Sequence, residues 1–293
     1  MDGMEYAIIE LSDKTYAPVC ERMVNMANPN VNEHGYIYGK WQNFPDTWVI
    51  CYHGTLYCYL LIGSEKAMLI DTAYGDGDLR AFVETITDKP VMVCNTHGHF
   101  DHTGGNALWE EAWMSEAASK DAKQAFGEEM QRRFESMPHP DYKINILHDG
   151  DVIDLGGRKV SVVAIGCHHP GSLAYIDDVS RCVYSGDELE SGQVLFLRPD
   201  LTGKEQAALH KQNMEKLLAR ESEYDFVCPA HNGSPISKQY IRDFIALDGE
   251  ILAGTQKKME NLAGYGFAPV TEMFGRKAER AVHGGASACY PVE

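Results

Sequence analysis

The stretch CNTHGHFDHTGGN, Cys94 to Asn106, crowds His97, His99, Asp101 and His102 together behind an apolar run and ahead of Gly104 and Gly105. His97 and His99 are two residues apart, so on extended backbone both imidazoles can face one side. Asp101 and His102 lie just beyond, where a turn can aim them at a second point. Imidazole and carboxylate donors suit Zn2+, and also Fe or Mn. Glycines at 98, 104 and 105 let the backbone bend tightly around such a site. A lone histidine here would read as part of a polar loop. Four donors at this spacing read as a metal-binding motif.

A metal site needs further ligands, and three other segments offer them. AIGCHHPGS places His168 and His169 after an apolar run, CVYSGDEL places Asp187 after another, and FVCPAHNGSP places His231 after a third. Each alone reads as a cap or turn residue. Brought to one edge of one sheet system, the four polar strand ends can surround two metal ions.

The elements that must carry these ends are strand-rich in the first half. TWVICYHG, LYCYLLIG and KAMLIDT are short apolar or alternating runs split by turn residues. DGDLRAFVETIT predicts a helix opening at Asp76 or Asp78, and PVMVCN a buried strand delivering the first motif at its C-terminal end. Residues 116–135 are expected to be helical, and DVIDLGGRKVSVVAIG to form a hairpin turning on Gly156-Gly157. SLAYID, CVYSG and FVCPA read as strands, and helical periodicity covers 204–220 and 237–262. Functional loops in layered α/β folds gather at such strand ends.

Composition narrows the partners. At 293 residues and 44% hydrophobic, the chain can bury a large core. No stretch approaches 18 consecutive apolar residues, and the first residues lack the basic and apolar regions of a signal peptide. Eight scattered cysteines without a CxxC pair fit buried free thiols in a reducing cytoplasm. A net charge of −17 argues against nucleic acid and against an anionic membrane surface. The expected partner is a small-molecule substrate. Assembly into a homo-oligomer stays open.

The pattern resembles the metallo-β-lactamase superfamily, whose hallmark H-x-H-x-D-H stands here as His97-Gly98-His99-Phe100-Asp101-His102. LIDTAYGDG with Asp71 is similar to the family's early aspartate, which supports the metal loop. HHPGS is similar to its H-T-P-G-S element, with His168 as the matching ligand and His169 in the usual threonine place. YSGDEL carries the bridging aspartate, Asp187, and PAHNG the last histidine, His231. The resemblance runs from about residue 47 to 245. It implies an α/β fold, the four-layered αββα sandwich, with two metals in a groove at one edge. One ion would be held by His97, His99 and His168, the other by Asp101, His102 and His231, with Asp187 and a water or hydroxide bridging them. Asp101 and Asp187 would then serve catalysis as well as binding.

On this resemblance the chain is expected to be a dinuclear zinc hydrolase, two Zn2+ per chain with Fe or Mn as alternatives. A bridging hydroxide would attack a lactone, ester or thioester. The wording of THGHFDHTGGN and GCHHPGS is nearer to glyoxalase II and acyl-homoserine lactonases than to secreted β-lactamases. A mono-iron persulfide dioxygenase of the same fold, or a β-lactam hydrolase, is the alternative. The main domain is set at 1–262, with an aromatic segment over 1–46, and 263–293 as an extension on or near the groove. His169, Leu195, Phe196 and Asn232 are the candidate substrate-binding residues. Three of them also have a plain structural reading: a turn at Pro170-Gly171 for His169, and a core strand or packing loop for Leu195 and Phe196. Arg276, Lys277 and Arg280 are expected on a solvated face. His139 and His210 fall outside every motif and are expected to be dispensable.

Overall fold

A computed structural model describes residues 38–52, 56–75, 77–124, 141–260 and 270–292. Its first sheet runs in chain order. Strands β1 (Tyr38–Phe44), β2 (Thr47–Tyr52), β3 (Leu56–Ile62) and β4 (Ala67–Ile70) form an antiparallel meander. Then β5 (Val91–Cys94), β6 (Glu111–Met114) and β7 (Lys143–Ile146) add in parallel. The sequence LYCYLLI shows why β3 sits in the interior of the sheet. Tyr57, Tyr59 and Leu61 face the core between the sheets, while Leu56, Cys58 and Leu60 face the outer layer. A strand buried on both faces reads as a continuous apolar run. Helix α1 (Leu79–Glu84) covers that outer face, and its first turn is capped by the Asp78 carboxylate, which accepts from the Ala81 amide at 2.9 Å.

The second sheet orders β14 (Ile236–Ser237), β13 (Phe226–Pro229), β11 (Cys182–Gly186), β10 (Leu173–Asp177), β9 (Lys159–Ala164) and β8 (Val152–Asp154). The expected hairpin is β8–β9, turning on Gly156 and Gly157, both at positive φ. Its outer face carries the long helices α3 (Gly203–Ala219) and α4 (Gln239–Ala253), the first opened by a Thr202–Glu205 capping box. The layers are therefore helix, sheet, sheet, helix, as the resemblance implies. A one-turn helix α2 (Phe100–Thr103) lies inside the first motif.

Several elements differ from the sequence reading. The helix expected over 237–262 stops at Gly254, at φ 72° in the left-handed region, and 257–259 form strand β15 (Lys257–Met259). Of the expected helix over 116–135, the described residues 116–124 hold a 3-10 turn at Ala118–Lys120, and 125–140 lie outside the described residues. The aromatic N-terminal segment supplies edge strand β1, with 1–37 outside the described residues, as are Asp76 and His139.

The extension builds a third sheet. β12 (Val194–Leu195), β18 (Ala286–Pro291), β17 (Arg276–His283) and β15 pair in that order, and β16 (Glu272–Met273) pairs with β17. Because β15 precedes residue 262 and β17 follows it, that sheet spans both sides of the expected boundary. The basic cluster is not one solvated face. Arg280 is buried, donating to Ser287 Oγ and the Glu260 carbonyl, and Arg276 donates to the Leu201 carbonyl. Lys277 alone of the three is strongly exposed, beside Glu279. Cys51, Cys58, Cys94, Cys167, Cys182, Cys228 and Cys289 are buried thiols outside any disulfide. No helix among the described residues is long and apolar enough to cross a membrane.

Candidate metal centre

The four ligand-bearing segments leave the same edge of the two facing sheets. β5 ends at Cys94 and leads into His97, β9 at Ala164 into His168, β11 at Gly186 into Asp187, and β13 at Pro229 into His231. Polar groups of the two sheets lock together beside these ends. Leu173 N donates to the Thr96 carbonyl at 2.7 Å, Tyr175 Oη to the Asn95 carbonyl at 2.7 Å, and Tyr57 N to the Ala230 carbonyl at 2.8 Å. Close approach is required at Gly186, at φ 55°. A Cβ there would sit 2.7 Å from the Thr96 side chain.

Two donor sets result. The ligating atoms of His97, His99 and His168 lie within 4.8 Å of one another, as do those of Asp101, His102, Asp187 and His231. Within the first set, His99 Nδ1 is 3.0 Å from His97 Nε2 and 3.1 Å from His168 Nε2. Asp187 joins both sets: its Oδ2 is 3.5 Å from His168 Nε2, and its Oδ1 is 3.3 Å from His102 Nε2 and 3.5 Å from His231 Nε2. Asp101 Oδ2 stands 3.5 Å from His102 Nε2 and 3.6 Å from His231 Nε2. Tetrahedral zinc bound at about 2.0–2.1 Å spaces its nitrogen and oxygen donors by about 3.3 Å. The donor spacings match that figure. His102 Nε2 and Asp187 Oδ1 supply a sharper test, since both are buried with no hydrogen-bond partner. Orphaned buried donors and acceptors are costly unless something absent from the protein atoms satisfies them. The chemistry and spacing of the residues fit two divalent cations.

The outer contacts fix how the rings point. Asp71, at φ 61°, accepts from His102 Nδ1 at 2.9 Å, from Thr96 N at 2.7 Å and from Thr96 Oγ1 at 2.8 Å. With its hydrogen given to Asp71, Thr96 Oγ1 can accept from His97 Nδ1 at 3.1 Å. One carboxylate thus sets the tautomers of two ligands and leaves their Nε2 atoms facing the site. His168 Nδ1 donates to the Leu195 carbonyl at 2.9 Å.

The charges divide the two sets. Burial and the neighbouring imidazoles push His97 far down, and burial with His168 lowers His99 to about 3. Burial also acts to lower His102 and His231. There the carboxylates of Asp187 and Asp101 outweigh it, raising His102 well up and His231 to about 9. Asp101 and Asp187 are pushed up by burial, yet the facing histidines hold both carboxyls below the usual range. His97 and His99 are thus neutral and ready to ligate. In the second set, two ionised carboxylates face imidazoles that hold protons where a cation would otherwise sit.

The residues proposed to bind substrate fare differently. Phe196 is fully buried in the helix-covered core, its ring centroid 5.0 Å from that of His210, so its place in the cleft is corrected to a packing role. Leu195 packs its side chain with Met273, Ala278 and Cys289, and brings its carbonyl to the site instead. His169 is buried, with Nδ1 accepting from Gly171 N and Nε2 facing Asp121 Oδ2 at 2.9 Å, so it braces the turn. Asn232, at φ 62°, donates to Glu190 Oε2 at 2.8 Å.

Sequence reasoning missed two supports. Glu188, next to Asp187, accepts at Oε1 from the amides of Cys167 and His169, which flank His168. His210, expected to be dispensable, is buried between Asp248 Oδ2 and the Glu188 carbonyl, each at 2.8 Å. Nε2 must donate to the carbonyl, and Nδ1 faces the Asp248 carboxyl, an arrangement that suits an imidazolium. Burial would lower its pKa, but Asp248 and Glu188 raise it to about 9. The adjacency of Glu188 to Asp187 was visible in GDELE; the pairing of positions 210 and 248 was not.

The chain is similar to known proteins in sequence and in fold. The profile of the metallo-beta-lactamase superfamily matches residues 54–231. The chain is 26% identical over 166 residues to acyl-coenzyme A thioesterase MBLAC2 of Gallus gallus, covering 48% of this chain and 60% of that protein. The chain thus spans less than two thirds of that relative's length. It is 26% identical over 205 residues to the cytoplasmic isozyme of hydroxyacylglutathione hydrolase of Saccharomyces cerevisiae, covering 67% of this chain and 71% of that one. Among solved structures, the MIM-2 metallo-beta-lactamase superposes with a TM-score of 0.58 at 18% identity, over 80% of this chain and 97% of that one. At such identity the likeness speaks to the fold. The sandwich, the H-x-H-x-D-H loop with three later strand-end donors that could hold metal, and a family model matched through His231 lead to one assignment: the chain belongs to the metallo-beta-lactamase superfamily.

Proposed function

We propose that the chain is a dinuclear metal hydrolase, loaded with zinc, that cleaves small acyl thioesters, with related esters or lactones as poorer substrates. The observation that carries this is the pair of donor sets sharing Asp187, one oxygen toward each. Relatives named as an acyl-coenzyme A thioesterase and a hydroxyacylglutathione hydrolase support the thioester. The second donor set, complete in Asp101, His102 and His231, counts against a mono-iron dioxygenase. A cytoplasmic setting agrees with the buried thiols outside any disulfide.

When bound, a pair of divalent cations supplies Lewis acidity that polarises the thioester carbonyl and brings the pKa of water toward neutrality. His97, His99 and His168 would hold one, and Asp101, His102 and His231 the other, with Asp187 between them. The protein's own part is orientation. The Asp71 carboxylate keeps His102 and His97 aimed, so the donors are set before substrate arrives. The Asp101 and His231 side chains are 25% and 20% exposed, whereas His97 is fully buried, so the groove opens over the second set. Asp101, ionised and open to the groove, accepts a hydrogen bond from the attacking water and orients it toward the acyl carbon.

The test is metal analysis of purified protein with a panel of acyl-coenzyme A and glutathione thioesters, lactones and β-lactams. Close to two zinc ions per chain and thioester turnover, lost with a chelator and restored by zinc, are expected. A single iron, or turnover confined to β-lactams, would overturn the proposal.

A further inference from the structure

A ligating imidazole stays aimed only while its far nitrogen has a fixed partner, and loss of such a partner commonly costs 10–100-fold in metal affinity. For His102 and His97 that partner traces to Asp71, at the end of β4 inside the two-sheet core. His168 is held from elsewhere. Its Nδ1 donates to the carbonyl of Leu195, which lies on the two-residue strand β12. In its sheet β12 is the edge strand beside β18, with Val194 opposite Ala288, Leu195 opposite Cys289, and Phe196 N donating to the Cys289 carbonyl at 2.9 Å.

The side chains alternate in the same sense. Val194 and Phe196 are fully buried under the long helices, while Leu195, between them, packs with Met273, Ala278 and Cys289. The peptide that presents the carbonyl is therefore gripped on its backbone and its side chain by residues 270–291. Buried anchors at 194 and 196 fix the strand's depth. Pairing with β18 fixes the rotation of the strand, and with it the direction of the Leu195 carbonyl.

We infer that the strand pair β17–β18 is a positioning element for the metal centre, acting through the Leu195 carbonyl on His168. It sets the affinity of the ion held by His97, His99 and His168, and leaves the ion held by Asp101, His102 and His231 to Asp71 and β13. The inference rests on the assignment of His168 as a ligand made under Proposed function. A carbonyl can only accept, so it holds His168 as the Nδ1–H tautomer, with the Nε2 lone pair turned toward His99 Nδ1 and Asp187 Oδ2.

Gly203 offers a lever on β18 within the full chain. A Cβ at this first residue of α3 would lie 2.1 Å from the Pro291 carbonyl oxygen and 2.9 Å from the Tyr290 ring. Alanine favours the helix, so in Gly203→Ala the strand gives way. Competition with a zinc chelator should show one of two ions bound 10–100-fold more weakly and the other unchanged. Nitrogen-15 NMR of the zinc-free wild-type chain, which needs no variant, should show His168 protonated at Nδ1 with slow proton exchange. Exchange should become fast in Gly203→Ala. Wild-type affinity for both ions in the variant, equal weakening of both, or an Nε2–H tautomer in the wild type would overturn the inference. A wild-type chain that binds no metal fails the ligand assignment itself; two ions with an insensitive His168 fails the positioning role alone.

Discussion

His102 Nε2 and Asp187 Oδ1 face each other across 3.3 Å, both sealed from water and neither hydrogen-bonded. No hydrogen bond among the described residues satisfies them, so their worth lies in what they bind together. Asp187→Ala removes the carboxylate common to both donor sets. Metal content should fall from two ions per chain toward one or none, and thioester turnover should drop well beyond the 10–100-fold typical of outer-shell changes. Circular dichroism should still show a folded chain. Full metal content in this variant would sink the bridging assignment.

Asp71→Asn tests the support without removing a ligand. Asparagine tolerates the left-handed backbone at φ 61° and keeps one acceptor oxygen, but it loses the charge facing His102. The expected result is a 10–100-fold loss in zinc affinity at near-normal thermal stability, read by chelator competition. Equal zinc binding would show that the Asp71 charge is irrelevant.

The His210 imidazolium gives stability a pH signature. Its folded pKa of about 9 stands above the ordinary 6.5, so the folded state binds the extra proton between them. Its contribution is complete below about 6.5 and disappears as pH rises through about 9. His210→Ala should unfold more easily than wild type at pH 6.5, by a few kcal/mol for a buried pair left with an unpartnered Asp248. The difference should narrow toward pH 9.5. Denaturant titrations at both pH values decide this; a constant difference would refute the protonated pair.

Phe196→Ala separates packing from recognition. Emptying a fully buried ring site should cost about 3–5 kcal/mol in unfolding free energy. The ranking of thioester substrates by kcat/KM should not change. A reordered ranking with unchanged stability would return Phe196 to the cleft.

The parts of this molecule that were legible in the sequence share a local signature. His97, His168, Asp187 and His231 each follow an apolar run within a few residues, so strand, turn and ligand could be read from one window. Gly254 also marked a helix end that the periodicity over 237–262 overran. The illegible parts are carried by partners with no letter of their own or by distant pairings. The Leu195 carbonyl is backbone, which every residue has, and Leu195 itself reads only as an apolar residue. His210 meets Asp248 because two long helices pack face to face, and no spacing rule joins those positions. The basic letters of RKAERAVH hid the fact that Arg280 is buried, since long cationic side chains can reach carbonyls from inside a sheet.

Each donor set draws on both halves of the sandwich: His97 and His99 follow a strand of the first sheet and His168 a strand of the second, while Asp101 and His102 are matched against Asp187 and His231. Ions held there act as rivets between two sheets that would otherwise meet only through apolar side chains and a few polar locks. Mass action then ties the unfolding equilibrium to zinc activity. A single ion at a thousandfold its Kd adds about 4.1 kcal/mol to the folded state, comparable to much of a domain's net stability. The melting temperature of this chain should therefore climb with buffered free zinc in two steps, one for each rivet, before any substrate is present.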